Sequence, residues 1–140
     1  MTVPMIYAHA SADFDRFLAE LRAELDHETT HQTYQTLESV LRVFRKRLSV
    51  ADALAFADAL PAVLRAIFIA QWDTSKAPAP FAALEAMNRE VHDRRKHHDF
   101  SPDDAIEITA QVLWRHIDRI GFAQALARLP REAAQFWGSK

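Results

Sequence analysis

The chain has no cysteine among its 140 residues, which excludes disulfides, thiolate catalysis and cysteine-ligated zinc or iron–sulfur centres. It has two glycines, where average usage would give about 7%. Tight hairpin turns and phosphate-cradling glycine loops therefore have few residues to build them, and helices are favoured. Long apolar runs are missing as well. The most apolar segment, AVLRAIFIAQW at 62–72, is interrupted by Arg65 and falls far short of the roughly 20 residues that span a bilayer as a helix. Neither sign of charge dominates: 17 Lys and Arg stand against 19 Asp and Glu, a net charge of −2, so there is no global attraction to nucleic acid or to a membrane surface. The opening stretch MTVPMIYAHASADF has no basic segment leading into an apolar one, and the expectation is a cytoplasmic protein without a membrane anchor.

What is present is a globular composition, 49% hydrophobic and 26% charged, in a chain the size of one ordinary domain. Apolar residues recur at helical spacing. Ser11 precedes the stripe Phe14, Phe17, Leu18, Leu21 and Leu25, which predicts a first helix ending near Leu25. Thr29 and Gln32 have capping-box spacing ahead of Leu37, Val40, Leu41, Phe44 and Leu48, so a second helix is expected over about 30–48. Ser49 and Asp52 introduce a short third helix that Pro61 ends, and Pro61 then opens a fourth, carrying Val63, Leu64, Ile67, Phe68 and Trp72, which should be the most buried element. After the proline-rich DTSKAPAP at 73–80, Leu84, Met87 and Val91 define another helix, and SPDD at 101–104 supplies a cap serine for one that runs to about Ile117.

The second half echoes the first. A shift of 69 residues places Leu60-Pro61 on Leu129-Pro130, Leu37 on Ile106, Phe44 on Leu113, Leu48 on Ile117, Phe68 on Trp137 and the cap Ser49 on Asp118. Upstream the shift is 66, with Leu18, Leu21 and Leu25 on Leu84, Met87 and Val91, so the second half carries three extra residues in HDRRKHHDF. The expected architecture is a single all-α domain over 1–140: a helical bundle of two sequence-related copies, about 11–72 and about 81–137, joined by the connector 73–80. Each copy has two long helices, a short helix and a Leu-Pro step into a closing helix. Two copies are too few for an extended solenoid and should pack around one core.

The run TLESVLRVFRKRLSVADALAFADALPAVLRAIFIAQW, with its V-L-x-x-F-x-x-R-L, its L-P-x-x-L-R and its terminal tryptophan, resembles the bacterial proteins grouped as domain-of-unknown-function family 2267. The later QVLWRHIDRIGFAQALARLP resembles the family's second half, with R-H-I before the short helix and L-P after it. The resemblance extends from about Phe14 to Trp137. It implies an all-helical domain and supplies no catalytic residue.

One motif suggests chemistry. His27, Glu28 and His31 form H-E-x-x-H within DHETTHQT, the pattern by which a helix presents two zinc ligands and a general base in many metalloproteases. A zinc-dependent hydrolase is thus an alternative to a non-enzymatic protein. Against it, the stripe that ends at Leu25 restarts only at Leu37, so the motif should straddle a helix junction that splays the imidazoles apart. The candidates for a third ligand, Glu20, Glu24 and Glu38, have the look of ordinary helix-surface residues. No metal or other cofactor is expected.

Two basic groups come next. In VHDRRKHHDF, the side chains of His92, His97, His98 and Asp99 suit a metal, and Arg94, Arg95 and Lys96 suit an anion such as phosphate. The simpler reading is a helix C-terminus whose cations complement the dipole, with Phe100 closing the loop. Arg42, Arg45, Lys46 and Arg47 fall mostly opposite the second helix's apolar stripe, a solvated face unless it adjoins the insert, where the two would make a phosphate-binding surface. Nucleic acid is not favoured, since aromatics do not interleave with the cations.

Trp114 stands where the first copy has Arg45, and Ile108, Val112 and Ile120 widen the apolar surface of its helix. Burial against the other copy would explain this; so would a homodimer or partner interface anchored on Trp114, Ile108 and Ile120. The leading expectation is a non-enzymatic, partner-binding or self-associating helical module. The alternatives are the zinc hydrolase and a binder of anionic ligands or nucleic acid through the basic insert.

Overall fold

The computed structural model describes residues 2–94 and 101–138, and all regular structure within them is α-helical. The helices are α1 (Met5–Ala8), α2 (Ala10–Leu25), α3 (Thr30–Arg45), α4 (Val50–Asp58), α5 (Ala62–Ile69), α6 (Leu84–Asp93), α7 (Ala105–Arg115), α8 (Arg119–Ala127) and α9 (Arg131–Trp137). The short α1 has no counterpart in the sequence reading. It buries no residue of its own, so it leaves no apolar stripe to detect.

Local chemistry sets most boundaries. Asp26 closes α2 in the left-handed conformation at φ 56°, which a short polar side chain tolerates better than most. Thr29 and Gln32 form the expected capping box on α3, and the Ser49 hydroxyl accepts the Asp52 N–H at the head of α4. Pro61 and Pro130 each stand one residue ahead of a helix, with nearly the same extended backbone, φ −55° and ψ 155° against φ −52° and ψ 148°. Pro61 is therefore a cap residue and not the first residue of α5.

The expected cap at Ser101 is replaced. Asp104 takes the cap position of α7 without a side-chain bond, and Asn88 reaches across from α6 to do the work. Its Oδ1 accepts the Ile106 N–H at 2.9 Å, while its Nδ2 donates to Glu107 at 2.7 Å. A buried amide on a neighbouring helix thus satisfies two groups of the first turn.

Packing places α3 and α7 at the centre. The α2 helix lies on both, α6 and α5 lie on α3, α9 lies on α7, and α4 packs on α5 and α8. The most buried elements are not α5, where only Leu64 and Phe68 are buried and Ile69 is exposed, but α3, with nine of its 16 residues buried, and α7, with seven of its 11. Phe44 on α3 lies with ring centroids 4.8 Å from both Phe56 and Phe136 and 5.4 Å from Trp137. Phe56 stacks on Trp137 at 5.7 Å. One aromatic cluster therefore joins residues before and after the connector, with the large payload and preferred tilted geometry of such rings.

Candidate functional site

The H-E-x-x-H motif does straddle a junction. His27 and Glu28 lie between α2 and α3, ahead of the Thr29 cap, and only His31 is helical. The half-buried His27 has Nδ1 3.1 Å from the Thr33 hydroxyl, and exposed His31 has Nε2 2.9 Å from the Gln35 amide. The two imidazoles do not share a helical turn, as a zincin requires. The supposed third ligands are engaged elsewhere: Glu20 and Glu24 pair with Arg115 at 3.1 and 3.3 Å, and Glu38 accepts from Tyr34. Among the described residues, no three His, Asp or Glu side chains group so as to hold a metal ion.

The residues expected to form a contact surface separate. Trp114 is 3% exposed; its indole N–H donates to the Trp137 carbonyl at 2.8 Å and its ring meets Phe122 edge-on at 4.8 Å. It is a core residue, and the width of α7's apolar surface reflects packing on α8 and α9. Ile108 is partly buried against the core, and Ile120 alone of the three is exposed, at 72%.

The basic residues of α3 are where the structure departs furthest from a solvated face. Arg45 is 9% exposed and Arg47 6%. The Arg45 guanidinium donates to the carbonyls of Phe68 and Ala70, at 3.0 and 2.8 Å, and lies 5.1 Å from the centre of the Trp72 ring. It thereby completes the C-terminus of α5, which is why that helix stops at Ile69 instead of running to Trp72. Gln71 follows in the left-handed region at φ 54°. Arg42 donates to the Ile67 carbonyl at 3.3 Å and lies 3.7 Å from Glu38. Arg47 donates to the Val43 carbonyl at 2.9 Å and forms a two-bonded pair with Glu90 of α6, which also accepts from Lys46 at 3.1 Å. Arg94, at the end of α6, donates to Ser39 at 3.2 Å and lies 3.9 Å from Glu38. Arg95, Lys96, His97, His98 and Asp99 lie outside the described residues.

These cations converge on a groove of about 520 Å³ between α3, the head of α4 and the connector. Among the described residues, its wall carries Arg42, Arg45, Lys46, Lys76 and Arg94, and a single carboxylate, Asp73. The Asp73 carboxylate is taken up by Ser75, whose hydroxyl and N–H donate to it at 2.6 and 3.1 Å and hold its pKa below the ordinary range. Glu38 and Glu90, beside the groove, and Asp93 next to Glu90 offset part of the positive charge, and with Arg47 included six cations stand against four carboxylates among the described residues. Burial, with the neighbouring charges of Arg42 and Arg94, pushes the Arg45 pKa down to about 10, and Glu38 only partly offsets this. Arg45 stays charged at neutral pH in a place where, among the described residues, cations outnumber carboxylates. The side chain of Arg42 is 10% exposed, and its Nε is buried with no hydrogen-bond partner among the described residues.

The family model described as "Uncharacterized conserved protein (DUF2267)" matches residues 14–136. The chain belongs to this family. No curated protein matches it. Within this DUF2267 chain, the matched region contains every residue of the groove wall.

The groove can hold an anion and fix its orientation, because guanidinium groups locked by carbonyls present their remaining N–H donors in set directions. Sequence reading found Arg94 but missed the role of Arg45. A signal was there: three arginines within six residues at the end of α3, a tryptophan just past the end of α5, and a proline-rich segment able to fold back over both.

Proposed function

We propose that the protein is a non-enzymatic binding module whose partner is an anionic ligand seated in the groove beside Arg45. The carrying observation is the excess of cations over carboxylates among the described residues of the groove wall, with one guanidinium buried and depressed in pKa. An anion entering there relieves repulsion among Arg42, Arg45 and Arg94, and desolvated charge pairs interact more strongly than exposed ones. The groups that catalysis would recruit from the wall are otherwise employed: Ser49 caps α4, and Asp73 is bound to Ser75. Self-association anchored on Trp114 has little support, since that side chain is spent inside the core. In the same reading the halves are two copies of one unit, supported by the matched Leu-Pro steps, and the protein works in the cytoplasm.

Calorimetric titration of the whole chain with sodium pyrophosphate tests the proposal. Binding should be measurable at low ionic strength, weaken as salt rises toward physiological levels, and weaken again in Lys46→Ala/Lys76→Ala. Absence of heat and of any thermal stabilisation by pyrophosphate at low salt would defeat it.

A further inference from the structure

Cations make up only part of this groove's lining. Leu48, Val50, Trp72, Ala77, Pro78 and Ala79 line it too, so the cleft presents charge and apolar surface to the same occupant. Its volume, about 520 Å³, lies within the range of clefts that take whole organic ligands, roughly 300–1,000 Å³, and is far larger than one inorganic oxyanion needs. The Ala77–Ala79 run is also held in place. The Ala79 N–H donates to the Lys46 carbonyl at 2.9 Å, between two prolines whose backbone angles are already restricted.

Resting on the anion-binding reading above, we propose that the ligand is a small phosphate ester with a flat aromatic part, of the chemical class of a nucleoside diphosphate. Its phosphates meet Arg42, Lys46 and Arg94, and its ring lies along Trp72 and the Ala77–Ala79 wall. The head of α4, nine residues long, adds the positive end of a helix dipole at Ser49 and Val50. A nucleic-acid chain fits less well: Arg42 and Arg45 are recessed, and the protein as a whole carries a net charge of −2.

Trp72 supplies the readout. The other tryptophans, Trp114 and Trp137, are 3% and 1% exposed, whereas Trp72 is partly exposed and lines the groove. The test compares ADP with sodium pyrophosphate, probes of similar charge, by calorimetry and tryptophan fluorescence on the whole chain. Stacking of a base on an aromatic side chain predicts that ADP binds about tenfold more tightly and changes the fluorescence. Trp72→Leu should abolish the fluorescence change and remove most of ADP's advantage over pyrophosphate; the ratio of the two affinities is the readout, because Trp72 also lies against Arg45. Trp72→Phe, which keeps an aromatic ring and is the less disruptive change, should retain the advantage without the signal. Equal affinities for the two probes, or an ADP advantage that survives Trp72→Leu, would overturn the inference while leaving the anion-binding reading intact. Binding of neither probe would end both, and tighter binding of a single-stranded oligonucleotide than of ADP would replace the small ligand with a polymer.

Discussion

Replacing Trp114 with phenylalanine separates a core residue from an interface anchor. The substitution removes the indole N–H that donates to the Trp137 carbonyl at 2.8 Å and shortens the ring that meets Phe122 at 4.8 Å. At 3% exposure, no water reaches the site to replace what is lost. The orphaned carbonyl costs about 1–2 kcal/mol. The smaller ring leaves about 40 Å³ unfilled, worth ~1 kcal/mol at roughly 24 cal/mol per Å³, before the loss of transferred apolar surface is added. The expected destabilisation is about 3 kcal/mol, or a fall in Tm of about 10 °C for a chain of this length. Urea and thermal unfolding followed by circular dichroism would measure it, with light scattering on the same samples. Mass should not change between wild type and Trp114→Phe. A variant that unfolds within 2 °C of wild type, or one whose mass drops by half at full stability, would refute the argument that this side chain serves the interior.

Three further expectations concern the helix junctions and the groove. Thr29→Ala removes the hydroxyl that accepts the Gln32 N–H and should lower stability by about 1 kcal/mol; an unchanged urea midpoint would count against the capping box. Burial alone would raise the Glu90 pKa, but bonds from Arg47 and Lys46 outweigh it and the pKa is lowered. A carboxylate lowered in the folded state stabilises fully above its unfolded value, about 4.3, and loses that contribution as pH falls through the lowered one. Glu90→Gln should therefore cost about 1–3 kcal/mol at pH 7, with the gap to wild type closing as pH falls below about 4; a gap constant from pH 7 to pH 3 would exclude the ion pair as its source. Arg45→Met keeps the apolar stem beside Trp72 but frees the carbonyls of Phe68 and Ala70. It should destabilise by about 1–3 kcal/mol and weaken pyrophosphate binding, and full stability in that variant would contradict the account of how α5 ends.

Much of the helical frame was legible because it is written locally. Thr29 with Gln32, Ser49 with Asp52, and the two Leu-Pro steps all mark boundaries within four residues of where the helices begin. What could not be read locally depends on long-range partners. Asn88 caps α7 from 18 residues away, and no periodicity distinguishes it from a surface asparagine. Arg45 has the same difficulty in a sharper form. Helical spacing places it at the flank of the apolar stripe, four residues after Leu41, and the rule that such a flank meets water holds only until another segment covers it. Here the end of α5 does so, and its carbonyls compensate the guanidinium. The histidine motif failed for the converse reason: its spacing was right, but the backbone it needed was interrupted by Asp26 and the Thr29 cap.

The bond from the Ala79 N–H to the Lys46 carbonyl carries a consequence for variation in this segment. Pro78 and Pro80 have no N–H to donate, so in the run from 78 to 80 the tether to α3 hangs on one amide. Side-chain identity at position 79 is therefore loosely constrained, yet proline is forbidden there, even though it is welcome on either side. A stretch that looks like filler between helices is stiff by composition, and its bond to the end of α3 falls on the one residue of the three that can donate it.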